Sequence, residues 1–363
     1  MSKRDILRLR KKEEQQGRRI MRSLLSLQQK LLPDMLEVMN KRYRVLRQLR
    51  LMQPIGRRSL ANSLDITERV LRSEVTFLKD QGLLHMSIQG MHLTEEGEQL
   101  LLELEPVMNE VSGLDNLEKR LKDKLGIPEV FIVPGDSDDT PWVKKEMGRA
   151  AVGRLKKFQL KDRVIAVTGG TTLAGVADMM IPSSEMEGTL FVPARGGLGE
   201  QVENQANTIC AKMARKAHTD YRLLHVPDQL SEEAYQSLIE EPGVKDILEI
   251  IKSAGIVVHG IGEARTMAQR RKSTLDVVEK IEREHAVAEA FGYYFNQSGE
   301  VVHKVKTIGL QLEDLERSEL VIAVAGGRSK AKAIAAYLKT GIQSILVTDE
   351  GAAKALLEGD SLY

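Results

Sequence analysis

The chain has 363 residues, of which 42% are hydrophobic and 29% are charged, a composition typical of globular proteins with two or three domains. No apolar run approaches the length of a transmembrane helix, and the charged N-terminus lacks the apolar core of a secretory signal, so we expect a cytoplasmic protein without membrane association. The single cysteine, Cys210, excludes an intramolecular disulfide, and neither cysteine nor histidine spacing indicates a metal site.

Charge is distributed unevenly along the chain. Residues 1–80 contain 20 Lys and Arg against 9 Asp and Glu, whereas the rest of the chain contains 33 against 43. A basic N-terminal part joined to an acidic body indicates that the N-terminal part contacts a polyanion. We interpret residues 1–20 as a basic extension, which is either disordered or in contact with that partner.

The first ordered elements are predicted to be helical. Apolar residues follow helical spacing from residue 24 to residue 50, with an interruption at Pro33. A short helix is predicted at 59–64, followed by a tight turn and a longer helix that begins after the N-cap Thr67 and ends near Asp80. This spacing is typical of a helix-turn-helix.

A hairpin is predicted directly after the helix-turn-helix. Gly82 ends the second helix, and the run LLHMSIQGMHLT alternates as two short strands around Gln89 and Gly90. Residues 21–93 are therefore predicted to form an α+β winged helix-turn-helix domain.

The second helix has an apolar and a polar side. We assign its packing side to Val70, Leu71, Val75, Phe77 and Leu78. A recognition helix presents its first turns to base edges in the major groove, while flanking cations contact phosphates. The candidate DNA contacts are Arg57, Arg58, Thr67, Glu68, Arg69, Arg72, Ser73, Thr76 and Lys79. The alternative is a winged helix that contacts only protein, but the basic excess favours DNA.

Residues 94–126 are rich in Glu, Leu and Lys and predict a helical linker, interrupted near Pro106 and again near Gly113. Such a segment either contributes to self-association or is a plain solvated connector.

From residue 127 the pattern changes to short β-rich runs, most of them followed by a segment of helical length. The runs are VFIVPGD, VIAVTGG, GTLFVPARGG, YRLLHVP, GIVVHGIG, FGYYFN, LVIAVAGG and SILVTDE. This alternation predicts an α/β domain over residues 127–363, with a doubly wound, mostly parallel sheet covered by helices on both faces. Ligands of such sheets bind at the carboxyl ends of the strands.

Two loops in this domain have the same construction. VIAVTGGTTLAGVADMM and VIAVAGGRSKAKAIAAYL each contain an apolar strand, a Gly-Gly pair, two polar donors and a helix of small residues. The glycines permit close backbone approach, and the helix N-terminus offers unpaired amides. The pair predicts two anion sites, the alternative being simple turns. Neither loop matches a Walker A or a dinucleotide-binding motif.

Arginines follow two further strands of the domain. Arg195 lies in FVPARGG, and IVVHGIG is followed by Arg265, Arg270, Arg271 and Lys272. Because guanidinium groups suit bidentate phosphate contacts, these residues favour a pocket for a small bisphosphate. No pair of histidines and carboxylates has a spacing that identifies a general acid and base, so we expect no catalysis, and Glu289 is a candidate acceptor for ligand hydroxyls.

Together these segments resemble the SorC family of sugar-responsive bacterial transcriptional regulators. The resemblance extends from about Met21 to the C-terminus, and it is carried by PIGRRSLANSLDITERVLRSEVTFLKDQGLL, the linker, GDSDDTPWVKKEMGRAAVGRL, the two Gly-Gly loops and VPARGG. It implies an effector domain with the fold of sugar-phosphate isomerases and deaminases, without a cofactor. It also implies dimers or tetramers that repress an operon of the triose stage of glycolysis, with fructose-1,6-bisphosphate as inducer.

The same resemblance implies a set of ligand contacts. Carried onto this sequence, they are Gly169, Gly170, Thr171, Thr172, Arg195, Gln205, Arg270, Arg271, Glu289 and Lys330. The helix-turn-helix falls at about Arg57 to Thr76. Two alternatives remain: a sugar-phosphate isomerase or deaminase with an accessory DNA-binding domain, and a SorC-type activator that responds to another phosphorylated sugar.

Overall fold

The computed structural model describes residues 30–158, 163–197, 201–227, 230–342 and 344–359, and the predicted N-terminal extension lies outside these ranges. The chain divides into two compact units, Met1–Asp115 and Asn116–Tyr363. Among the described helices, none is both long and apolar enough to cross a bilayer.

The first unit contains the predicted helix-turn-helix and hairpin. Its elements are α1 (Pro33–Met52), α2 (Arg57–Leu64), α3 (Glu68–Asp80), β1 (Leu84–Ser87), β2 (Gly90–Leu93) and α4 (Glu95–Val111). Asp65 adopts a left-handed conformation (φ 53°) that ends α2, and the Thr67 hydroxyl accepts a hydrogen bond from the Val70 amide at the start of α3. β1 and β2 pair antiparallel, from Leu84 opposite Leu93 to Ser87 opposite Gly90.

The packing side of α3 differs from the predicted one at two positions. Leu71, Val75 and Leu78 are buried in the core of the first unit, but Val70 and Phe77 are 40% and 38% exposed, so their assignment to the packing side was wrong. The guanidinium of Arg42 lies 3.5 Å from the Phe77 ring centroid and so covers part of that ring. Consecutive residues of a helix lie about 100° apart around its axis, so Phe77 falls outside the stripe that Leu71, Val75 and Leu78 form.

The second unit is built on a seven-stranded sheet in which every pair of neighbouring strands is parallel. Its strands are β3 (Glu129–Val133), β4 (Val164–Val167), β5 (Leu190–Pro193), β6 (Asp220–Tyr221), β7 (Ile256–His259), β12 (Leu320–Val324) and β13 (Ile345–Asp349), in the order β3-β13-β12-β7-β4-β5-β6. All residues of β7, β12 and β13 are buried, as in a sheet covered on both faces.

Helices connect these strands. They are α5 (Leu114–Leu125), which begins at the end of the first unit, α6 (Val143–Leu155), α7 (Thr171–Asp178), α8 (Ala206–Ala217), α9 (Glu232–Glu240), α10 (Pro242–Lys252), α11 (Ala264–Arg270), α12 (Leu275–Arg283), α13 (Leu312–Leu315), α14 (Ala331–Leu338) and α15 (Glu350–Glu358). The predicted fold class, a winged helix-turn-helix followed by a doubly wound α/β domain, is confirmed.

The run FGYYFN does not belong to the parallel sheet. It forms β10 (Tyr293–Asn296) in a separate four-stranded antiparallel sheet with β8 (Gly262–Glu263), β9 (Ala286–Ala290) and β11 (Val301–Lys304), in the order β11-β10-β9-β8. Only a two-residue turn, Phe291 and Gly292, separates β9 from β10, so they pair as a hairpin. The alternating pattern alone did not distinguish this hairpin from another strand of the parallel sheet.

Candidate functional site

The strand order reverses between β4 and β7, and a cleft opens there at the carboxyl ends of both strands. A doubly wound sheet binds ligands at such a switch point, because the loops on either side diverge and leave a crevice. Eight of the ten predicted ligand residues line the cleft: Gly169, Gly170, Thr171, Thr172, Arg195, Arg270, Glu289 and Lys330.

The backbone conformation requires glycine at both positions of each Gly-Gly pair. A Cβ on Gly169 would lie 2.6 Å from the Asn204 carbonyl oxygen, and a Cβ on Gly326 would lie 2.5 Å from an Asp349 carboxylate oxygen. The second glycine of each pair, Gly170 and Gly327, has a φ of 117° and 99° respectively. The predicted likeness of the two loops therefore holds for their backbones.

The first loop presents free donors to the cleft. The amides of Thr171 and Thr172 begin α7, which has no side-chain cap, and they have no acceptor among the described residues. The Thr172 side chain is buried and the Thr171 side chain is exposed at the mouth of the cleft. The start of α7 therefore offers two amides, two hydroxyls and the positive end of a helix dipole to an anion.

The second loop differs, because its backbone amides already donate hydrogen bonds to side chains of the protein. They donate to three carboxylates: Gly327 to Asp349 at 2.7 Å, Arg328 to Asp136 at 3.3 Å and Ser329 to Asp138 at 2.8 Å. The Ser329 hydroxyl also donates to Asp138. Of this loop, Lys330 alone lines the cleft. The carboxylates come from distant parts of the chain, so no local pattern reveals them.

The surroundings of Lys330 disfavour its charged form. Its pKa is lowered by burial and by the like charges of Lys144 and Arg270, which together outweigh the favourable charges of Asp138 and Asp349. An anion in the cleft would stabilise the charged ammonium, because it would add negative charge beside Lys330.

Glu289 is the centre of a buried ionic cluster beside the cleft. Its Oε1 accepts hydrogen bonds from Arg271 Nη2 at 2.8 Å, Arg195 Nη1 at 3.4 Å and the Gly292 amide at 2.7 Å. Burial acts to raise the pKa of Glu289, but the two guanidinium groups outweigh it and hold that pKa below the usual value. Glu289 is therefore a fixed carboxylate, poorly suited to act as a proton shuttle.

The two predicted ligand residues that do not line the cleft are Arg271 and Gln205. The Arg271 side chain is fully buried and donates to Glu289 and to the Tyr294 hydroxyl, so it orients the carboxylate. Gln205 precedes α8 next to Asn204, whose carbonyl accepts the Gly170 amide. In this structure Arg271 therefore supports a wall of the cleft, and Gln205 lies next to the residue that holds the first Gly-Gly loop.

Thr168 and His259 also hold the loops of the cleft in place, and the sequence did not indicate this role. The Thr168 amide donates to the Val258 carbonyl and its hydroxyl accepts from the Gly260 amide, both at 3.1 Å, which ties the loops after β4 and β7 together. His259 is enclosed between the Gly260 carbonyl and the Tyr337 hydroxyl, and burial lowers its pKa to about 4, so it is neutral at pH 7.

In the first unit, the nine predicted DNA contacts are all exposed. Six of them lie on α3, where they occupy the polar side that Leu71, Val75 and Leu78 leave free. Arg58 lies 3.9 Å from Glu68, a distance at which the exposed pair contributes little. Glu74 is buried and paired with Lys41 and Arg42, so it fixes α3 against α1.

Two family models match the chain and divide it. Residues 38–108 match a model described as "CggR N-terminal DNA binding domain", and residues 109–358 match one described as "Putative sugar-binding domain". The second match covers more than half of the chain.

Full-length relatives also match. The chain is 64% identical to a central glycolytic genes regulator of Priestia megaterium, over 93% of this chain and 99% of the relative. It is 59% identical to the protein of that name from Bacillus subtilis, over 94% and 100%. A solved SorC family regulator from Enterococcus faecalis is 45% identical, with a TM-score of 0.64 over 67% of this chain and 99% of that chain.

Proposed function

Since the chain belongs to the central glycolytic genes regulators of the SorC family, we propose that it is a repressor induced by fructose-1,6-bisphosphate. The family membership itself makes the chain a DNA-binding regulator of glycolytic genes with a sugar-binding domain. It acts in the cytoplasm as a dimer or tetramer. The winged helix at 21–93 binds the operator, the linker at 94–126 connects it, and the domain at 127–363 binds the sugar. The bisphosphate changes how subunits associate and so weakens operator binding.

One observation carries the proposal: a single cleft contains an uncapped helix N-terminus with free amides and, in its lining, the cations Arg195, Arg270 and Lys330. A helix N-terminus suits one phosphate, and side-chain cations suit a second. The carboxylate of Glu289 in the same lining is an acceptor for a sugar hydroxyl. A small sugar bisphosphate satisfies all three features.

The proposal is tested by titrating fructose-1,6-bisphosphate into the protein with operator DNA and measuring DNA affinity and oligomeric state. We expect the affinity for DNA to fall as the sugar saturates the cleft. A sugar that binds but strengthens DNA binding would support the activator alternative instead. No effect on affinity or assembly would overturn the mechanism. Thermal-shift measurements with monophosphates and other bisphosphates then identify the preferred effector.

The isomerase or deaminase alternative requires a free acid or base. Glu289 is the ionisable carboxylate in the cleft lining, and its Oε1 already accepts three hydrogen bonds. Incubating the purified protein with sugar phosphates should give no turnover. Turnover that Glu289→Gln abolishes, without loss of binding, would establish the enzyme instead.

Substitution of Arg72 tests the DNA-contact helix. Arg72 is exposed on α3, so Arg72→Ala should weaken operator binding about tenfold or more, since a cationic contact to a base or phosphate is lost, while sugar affinity is unchanged. Arg120→Ala is the matched control, because Arg120 is an exposed arginine on α5 outside the predicted DNA contacts. Equal DNA affinity of both variants, measured by fluorescence anisotropy, would contradict the role of Arg72.

A further inference from the structure

Lys144, the second residue of α6, lies beside the cleft but outside the Gly-Gly loops and the arginine-containing segments that predict it. Its ammonium nitrogen is 3.5 Å from the hydroxyl oxygen of Thr171, the first residue of α7. The two arginines of α6, Arg149 and Arg154, are paired with Glu146 and Glu129. Within the described part of the chain, no carboxylate lies within ion-pair distance of Lys144.

Two glycines fix the position of Lys144. A Cβ on Gly148 would lie 2.4 Å from the Gly175 carbonyl oxygen, and a Cβ on Gly175 would lie 2.8 Å from the Lys144 carbonyl oxygen. The backbones of α6 and α7 are therefore in direct contact at this crossing. As a result, the backbone of Lys144 is held rigidly relative to α7, and its side chain extends to the first residue of that helix.

Lys144 is one of several cations at the cleft, because Arg270 and Lys330 line it. Lys144 and Arg270 are both close enough to Lys330 to disfavour its charged form. Arg270 and Lys330 line the cleft, and Lys144 contacts Thr171 in its lining. Three cations from α6, α11 and the loop before α14 thus converge on the same cleft, where the amides of Thr171 and Thr172 add further positive potential. Such a convergence is unfavourable in the empty cleft and becomes favourable when an anion binds.

We propose that Lys144 is a contact for the phosphate that binds at the N-terminus of α7. Lys144 is absent from the contacts implied by the family resemblance. The proposal rests on the proposed function, since it assigns a residue to the same anion site. An ammonium on a flexible stem provides a point charge that follows the phosphate, whereas the amides and threonine hydroxyls provide directional hydrogen bonds.

The test compares three variants of the full-length protein by calorimetric titration with fructose-1,6-bisphosphate and, separately, with inorganic phosphate. Lys144→Gln should bind both anions about tenfold more weakly than wild type, with an affinity that depends less on salt. Lys144→Arg should retain most of the affinity, because the charge remains. Lys145→Gln is the matched control: it is the next residue of α6, is equally half-buried and makes the same change in net charge.

The outcomes separate this proposal from the proposed function. If Lys144→Gln and Lys145→Gln bind the sugar equally well, the role of Lys144 is overturned and the effector site stands. If wild type binds phosphate but not the bisphosphate, the proposed effector is wrong, and the phosphate titration still decides the role of Lys144. If wild type binds neither anion, both proposals are overturned.

Discussion

The Arg271→Met protein should lose about 3 kcal/mol of unfolding free energy, although the substituted side chain is similar in length. The Arg271 side chain is fully buried, and it donates to Glu289 at 2.8 Å and to the Tyr294 hydroxyl at 3.1 Å. Its removal leaves the buried Glu289 carboxylate with a longer contact to Arg195 and one backbone amide. An incompletely compensated buried charge is strongly destabilising. Urea denaturation measures the loss.

The neighbouring residue is the control. Arg270 lines the cleft and is half-buried, so Arg270→Met should change stability by less than about 1 kcal/mol while weakening sugar binding. Adding Glu289→Gln to Arg271→Met should restore part of the lost stability, because the unpaired charge is removed. If Arg271→Met is as stable as Arg270→Met, the structural role that we assign to Arg271 is incorrect.

Substitution of Lys330 should have the largest effect on effector binding. Lys330→Met is expected to bind fructose-1,6-bisphosphate about 100-fold more weakly, because the cleft loses a partly desolvated charged contact. Its stability should match or exceed that of wild type, since burial and the neighbouring cations lower the pKa of Lys330 and so make its charge unfavourable in the folded state. Titration calorimetry and thermal unfolding measure the two effects.

In the operator assay, Lys330→Met should bind DNA as wild type does, but its release should need about 100-fold more sugar. Lys332→Met is the matched control, because Lys332 is exposed on α14 outside the cleft lining and carries the same charge. If the sugar released Lys330→Met from DNA at the same sugar concentration that releases wild type, Lys330 would not be an effector contact.

The elements with a strong local pattern were predictable. Thr67 as an N-cap, the helix that follows it and the hairpin around Gln89 are encoded by neighbouring residues, and all three are present. The strands before both Gly-Gly pairs are equally evident, because continuous apolar runs fit strands that are buried on both faces. The separate antiparallel sheet that contains residues 293–296 was missed because the alternating pattern does not show which sheet a strand joins. The exposed Phe77 was assigned wrongly because it lies about 100° around the helix axis from Leu78.

In the cleft, the sequence indicated the residues but not how they are used. Arg270 and Arg271 are adjacent in the chain, yet one lines the cleft and the other is buried against Glu289, because successive side chains of a helix point in different directions. The two Gly-Gly loops share their backbone geometry, yet the second donates its amides to Asp136, Asp138 and Asp349.

By itself, the sequence determined the order of the elements, the helix-turn-helix and the loops at the carboxyl ends of the strands, because local propensity and hydrophobic periodicity act over a few residues. Only the tertiary structure decided which amides remain free for a ligand, which arginine faces the cleft and that Lys144 reaches the start of α7. Hydrogen-bond partners and charges for these groups come from residues far apart in the chain, and folding alone brings them together.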